Sequence, residues 1–222
     1  LVEKDIDGYV EGLKAIIKDD PKDKRAHADL AWFYKNNKKY PEAVEAFDHL
    51  LELQPDSVDI RFEKGLALYN IKNLDPALEA FNQCIESGLD NSRVHAEKGR
   101  VLFELARNDE AIASFDRALE LDPKDAVSHQ MKGEILQKIE RYEDAIAEFD
   151  ATLLIDPENS MAQRGKGISL ARLARYEDAI VALDRALEND SANPDLLACK
   201  GYSLHKSGRE KEAVEALAKS LK

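Results

Sequence analysis

Displaced by 34 residues, this chain lands on itself: Arg107 to Pro123, R-N-D-E-A-I-A-S-F-D-R-A-L-E-L-D-P, returns slightly altered as Arg141 to Pro157. Small residues carry the period. Ala43, Ala77, Ala111, Ala145, Ala179 and Ala213 stand 34 apart, and Gly65, Gly99, Gly133, Gly167 and Gly201 keep the same step. The glycines lie in stretches, such as His95 to Leu105, that otherwise read as helix, where glycine costs about 1 kcal/mol relative to alanine. Such a cost repeated at one phase implies close helix–helix approach. A third series, Phe47, Phe81, Phe115, Phe149, Leu183 and Leu217, puts a large apolar residue four positions after each alanine, on the same helical face. One turn supplies a gap and the next a plug. A chain built this way is one continuous array in which each unit packs on its neighbours, so its length does not set a domain count.

These residues resemble the tetratricopeptide repeat, two short antiparallel helices per 34 residues with small residues at the crossing and a closing proline. The resemblance runs from Lys24 to the C-terminus, in six units beginning at Lys24, Val58, Ser92, Ala126, Ser160 and Pro194. The eighth place of a unit is Gly in five units and Ala31 in the first, and the twentieth is always Ala. Pro55, Pro123 and Pro157 supply the closing proline, which Leu89 and Ser191 replace. The family's fourth-place aromatic is missing, its place taken by His27, Arg61, His95, His129, Gln163 and Leu197. The resemblance implies an all-α, right-handed superhelical solenoid. Within residues 1–23, Tyr9, Leu13, Ile16 and Pro21 fall where a second helix and its proline belong, so this segment reads as half of a truncated repeat in a longer protein.

Local chemistry places the boundaries. Turns such as Asn36-Asn37-Lys38-Lys39 join helices of roughly 12 to 14 residues. Pro41 and Pro76 sit at the starts of second helices, with Asp75 as the expected cap of Pro76. Asp122-Pro123 and Asp156-Pro157 stop helices, because a residue before proline leaves the α region. The array reaches Lys222 without the polar helix that often covers the last apolar face of such solenoids, so Ala213, Val214, Leu217 and Leu221 are expected to be partly bare unless the native chain continues, and to allow weak self-association.

Net charge is −12, of which residues 1–159 carry −14 and the remainder +2. That acidic balance disfavours nucleic acid, whose binding rests on neutralised phosphates. No run approaches the roughly 20 apolar residues of a membrane span. Cys84 and Cys199 occupy different places three units apart, too distant to pair, which fits a reduced, cytoplasmic setting.

Three histidines share one place, His27, His95 and His129. A repeat of about 10 Å at helix-packing distance separates neighbours, far beyond the roughly 2 Å bonds to a shared ion. Paired acids such as Glu143-Asp144 and Glu177-Asp178 recur at second-helix starts, where they offset the helix dipole. No clustered glycines form a phosphate loop, and no nucleophile arrangement stands out. Neither a cofactor nor a catalytic set is expected.

The family resemblance implies that places 2, 5, 6, 9, 12 and 13 of the first helices line a concave groove for a protein or peptide; these places form one stripe at helical period. In the first three units the stripe holds Asp29, Trp32, Asn36, Asp59, Phe62, Glu63, Tyr69, Asn70, Glu97, Arg100, Phe103 and Glu104; further along come Lys138, Arg164, Arg172 and Tyr202. Trp32, the sole tryptophan, is the expected anchor. Phe62, Leu66 and Phe103 have packing between first helices as their alternative role. The charges predict that a ligand lays a basic, partly apolar portion on the first half and an acidic portion on the second, with Asn36 and Asn70 gripping its backbone. The family's clamp for chaperone C-terminal carboxylates is not matched: its places hold Ala28, Trp32, Glu63, Arg93 and Glu97. The expected function is a non-catalytic interaction scaffold, the alternatives being a self-association module or the interaction domain of a protein whose catalytic domain lies elsewhere.

Overall fold

Helix starts, helix stops and small residues account for the architecture. The computed structural model describes residues 2–221, with side chains from Gly8 onward, and among these residues there are thirteen helices and no strand. After α1 (Val2–Asp19) they alternate: first helices α2 (Lys24–Asn36), α4 (Val58–Asn70), α6 (Ser92–Glu104), α8 (Ala126–Lys138), α10 (Ser160–Arg172) and α12 (Pro194–Lys206); second helices α3 (Tyr40–Leu53), α5 (Leu74–Glu86), α7 (Asn108–Leu121), α9 (Tyr142–Ile155), α11 (Tyr176–Asn189) and α13 (Glu210–Ser220).

Five of the six first helices begin at a side-chain cap; α4, which follows Ser57, does not. Asp23, Asn91, Asp125, Asn159 and Asn193 accept hydrogen bonds from first-turn N–H groups, Asp23 from Arg25 and Ala26 at 2.9 and 3.0 Å. Each is worth about 1 kcal/mol. Second helices begin differently. Arg141, Arg175 and Arg209 precede their helices without capping them and bind the acid three residues on, Asp144, Asp178 and Glu212, each at 2.7 Å. Glu143-Asp144 and Glu177-Asp178 do stand in first turns. The expected cap at Asp75 is not formed: α5 starts at Leu74 after Asn73, so Asp75 lies inside the first turn and acts only as a charge near the dipole.

Six residues 34 apart, Lys38, Lys72, Ala106, Glu140, Ala174 and Gly208, take φ between 58° and 79°. Each ends a first helix in the left-handed conformation, and the next N–H reaches back to close it, as Arg175 does to the Leu170 carbonyl at 2.9 Å. Only Gly208 of these is glycine. A side chain here costs roughly 1–2 kcal/mol, and glycine's extra freedom in the unfolded chain offsets about 0.4–1 kcal/mol of any gain. Ala174→Gly should therefore stabilise the chain by about 0.5–1 kcal/mol in urea denaturation. Ala186→Gly, inside α11, should instead lose about 1 kcal/mol.

The chain divides into two compact units, one ending at Arg107 and the other beginning at Asn108. In the first, Val10 and Leu13 of α1 pack with Ala26 and Leu30 of α2, and Ala31, Ala43, Phe47, Leu50 and Ile60 build the next layer. A Cβ on Gly65 would lie 2.8 Å from the Phe81 ring. Cys84 is buried there, and burial pushes its thiol up to about 11. In the second unit, Leu136, Ala145, Phe149 and Ala162 form one cluster, and Leu170, Ala179, Leu183 and Leu196 belong to the next. A Cβ on Gly133 would meet Phe149 at 2.8 Å, one on Gly167 would meet Leu183 at 2.7 Å, and one on Gly201 would meet Leu217 at 2.7 Å. Phe149 is held from both sides, because Gly165 of α10 abuts the same ring. These are the close approaches that the glycine spacing predicts.

Polar contacts repeat with the lattice. Asp48, Asp116, Asp150 and Asp184 of second helices pair with Lys64, Lys132, Lys166 and Lys200 of the following first helices. At the end of the chain, Val214, Leu217 and Leu221 are exposed as expected, but Ala213 is not: it is 2% exposed and packs with Ile180, Leu204 and Ala216.

Candidate functional site

In the first unit the stripe residues of α2, α4 and α6 are largely engaged with one another. Trp32 lies edge-on to buried Phe47, with ring centroids 5.5 Å apart, and the Lys35 ammonium sits 4.9 Å from its centroid. Lys35 also pairs with Glu63. Trp32 is thus a half-buried, cation-capped side chain rather than a free anchor. Phe62 is 6% exposed; it packs on Phe81, and the Arg93 guanidinium covers it at 4.8 Å. Its role is packing, and the expectation that it lines a binding face is corrected.

The Tyr69 ring lies between the Lys72 ammonium at 5.1 Å and the Arg100 guanidinium at 5.0 Å. Its hydroxyl donates to Glu104 at 2.6 Å, and Lys72 donates to the same carboxylate at 2.7 Å. Those bonds, led by the one from Lys72, hold the Glu104 carboxyl below its usual range, while burial followed by the Glu104 contact pushes the Tyr69 hydroxyl up. Arg100 binds Glu97 at 3.0 Å, and Arg25 approaches Asp29 at 3.9 Å. The expected acidic attractor is therefore mostly neutralised within the unit. Asp59 alone of its stripe acids lacks an ion pair among the described residues. Asn70 donates to the Leu66 carbonyl of its own helix at 2.8 Å, whereas Asn36 is exposed; Phe103 is half-buried.

The second unit is different. Ile168 and Arg172 of α10, Tyr176 of α11, and Cys199 and Tyr202 of α12 surround an open cleft of about 600 Å³. Tyr176 and Tyr202 meet edge to face with centroids 6.1 Å apart. Desolvation, and then the neighbouring Tyr202 side chain, push the Tyr176 hydroxyl up; burial raises the Cys199 thiol against the opposing pull of Arg172. Tyr202 remains 49% exposed, with the Lys206 ammonium 5.6 Å from its ring centroid. Arg164 and Arg172 are exposed and make no ion pair among the described residues. Lys138 stands exposed at the end of α8. The structure thus brings together Arg172 and Tyr202 from the predicted set. Tyr176 escapes a reading confined to first helices, because it is the opening residue of a second helix.

The histidines of the shared fourth place serve the loops before them. His27 meets the Pro21 carbonyl at 3.1 Å, His95 meets Asp90 at 2.7 Å, and His129 contacts the Pro123 carbonyl at 3.3 Å and Glu148 at 2.7 Å.

No curated protein matches this sequence. Among solved structures, that of PilW, a widely conserved type IV pilus biogenesis factor, is 21% identical with a TM-score of 0.72, covering 88% of this chain and 90% of its own. That of YrrB, a tetratricopeptide protein with an unusual peptide-binding site, is 21% identical with a TM-score of 0.68, covering 90% and 99%. MamA from Desulfovibrio magneticus is 20% identical with a TM-score of 0.70, covering 74% and 93%. These likenesses show the fold. Tetratricopeptide repeat family models match residues 11–57, 33–88, 62–126, 131–194 and 166–222, and a further model of the same description matches 114–147. Matched in this way from residue 11 to residue 222, and built throughout from paired helices at that spacing, the chain belongs to the tetratricopeptide repeat family.

Proposed function

We propose that this chain is a non-catalytic scaffold that binds a segment of a partner protein along the stripe of its first helices. The observation that carries the reading is the second-unit cleft: an apolar floor at Ile168, an exposed Tyr202 and an Arg172 without an acid partner are groups presented outward instead of spent on packing. Tyrosine and arginine are enriched among residues that dominate interface energies. We take residues 24–222 as six repeats and 1–23 as a half-unit, with protein or peptide as partner. No helix among the described residues is long and apolar enough to cross a membrane. The two free cysteines agree with the proposed cytoplasmic setting.

Selection of a random peptide library on the intact chain tests this. Enriched peptides should protect amides of first helices from hydrogen exchange. No enrichment, or protection confined to second helices, would contradict it. A second reading, weak self-association, rests on exposed Val214 and Leu217 of α13 and on Leu221, which are 65%, 40% and 88% exposed. Sedimentation should then depend on concentration, and Val214→Glu should abolish that dependence.

A further inference from the structure

The second-unit cleft has a chemistry that selects its occupant. Resting on the scaffold reading, we propose that it takes an acidic segment of a partner protein, seating one large apolar side chain between Ile168 and Tyr202 with an adjoining carboxylate on Arg172. Three observations lead there. The cleft of about 600 Å³ is within the range of ligand pockets and larger than one side chain needs, leaving room for the adjoining backbone. Its floor and walls, Ile168, Cys199 and the Tyr176–Tyr202 pair, offer apolar and aromatic surface with phenolic hydroxyls at the edge.

Charge supplies the third. The chain carries −12 overall, so acidic segments are repelled by most of its surface. Along the stripe of α8, α10 and α12, however, Lys138, Arg164, Arg172 and Lys206 outnumber Glu134 and Asp195. Arg164 and Arg172 lack an ion pair among the described residues, whereas in the first unit Lys35 and Arg100 are already bound to carboxylates and Arg93, which has no ion pair among the described residues, lies over the Phe62 ring. An arriving carboxylate on Arg172 displaces no internal partner. A guanidinium also matches a carboxylate with two parallel donors, which a lysine cannot do.

Fluorescence anisotropy on the intact chain tests the assignment. The probes are a labelled peptide with Asp residues around a central Leu, the same peptide with Lys for Asp, and the same with Ser for Leu. The Asp/Leu peptide should bind tightest, with each altered peptide at least about tenfold weaker. Arg172→Glu and Tyr202→Ala, both at exposed positions, should each weaken it about tenfold while circular dichroism stays unchanged. Lys211→Glu, the same charge change on α13 away from the cleft, should have little effect. Equal binding of the Lys peptide, or indifference to Arg172→Glu, would overturn the proposal. So would displacement of the peptide by a single-stranded oligonucleotide whose own binding needs Arg172, which would assign the cleft to phosphates. If library-selected peptides bind first helices but the Asp/Leu peptide does not, this inference falls and the scaffold reading stands; if neither binds, both fall.

Discussion

Gly133→Leu should destabilise the chain by about 3 kcal/mol, the upper part of the range for overpacking. Phe149 is 0% exposed and its ring lies against Gly133 on one side and Gly165 on the other, so it has no free direction in which to yield. Phe149→Ala should cost about 3–5 kcal/mol, because backbone lines the resulting cavity and collapses poorly. The double variant should lose clearly less than the sum of the two, since the leucine enters space the ring has left. Chemical denaturation of all four proteins measures the cycle. Additive losses would mean that glycine and ring do not meet.

Lys132→Met should be the costliest change in the periodic lysine row, at about 2 kcal/mol. Lys132 bridges Asp116 and Glu148, both at 2.6 Å, and its side chain is 18% exposed. Glu148 stands where the other repeats bury Ala46, Ala80, Ser114, Ala182 and Ala216, so a carboxylate has been placed at a packing position and is held by Lys132 and His129. Burial alone would lower the Lys132 ammonium, but hydrogen bonds to Asp116 and Glu148 outweigh it and raise its pKa. A raised lysine adds stability that is complete below its ordinary value and is lost as pH rises through the folded one. The deficit of Lys132→Met should therefore persist at neutral pH and narrow only in strong alkali. Lys166→Met removes one 2.5 Å pair with a half-exposed Asp150 and should cost no more than about 1 kcal/mol. Equal losses at the two positions would contradict the role given to Glu148.

The repeat spacing makes the helices and their crossings legible in the sequence. A glycine placed 34 residues from the last, with an aromatic at fixed distance beyond it, has one packing solution, and Gly65 against Phe81 follows it. Side-chain partners were harder to read. Glu63, Glu97 and Glu104 count as free acids along a stripe, yet Lys35, Arg100 and Lys72 neutralise them. Lys72 lies in a turn just outside the stripe, where helical periodicity no longer reports direction. Phe62 resembled a ligand contact because its spacing fits the stripe; its burial depends on Phe81 and Arg93, which are 19 and 31 residues away. Ala213 has its neighbours at Ile180 and Leu204, so exposure of the helix around it did not extend to it.

The stripe of the first unit is largely taken up by its own ion pairs, whereas the cleft of the second unit leaves Arg172 without one and is proposed to receive an acidic, apolar segment. Backbone amide chemical shifts recorded as the Asp/Leu peptide is added test this most directly. The largest changes should fall on α10, α12 and the start of α11 around Ile168, Arg172, Tyr176 and Tyr202, and they should vanish in Arg172→Glu. Changes concentrated on α2 and α4 around Trp32 and Glu63, and preserved in Arg172→Glu, would contradict it.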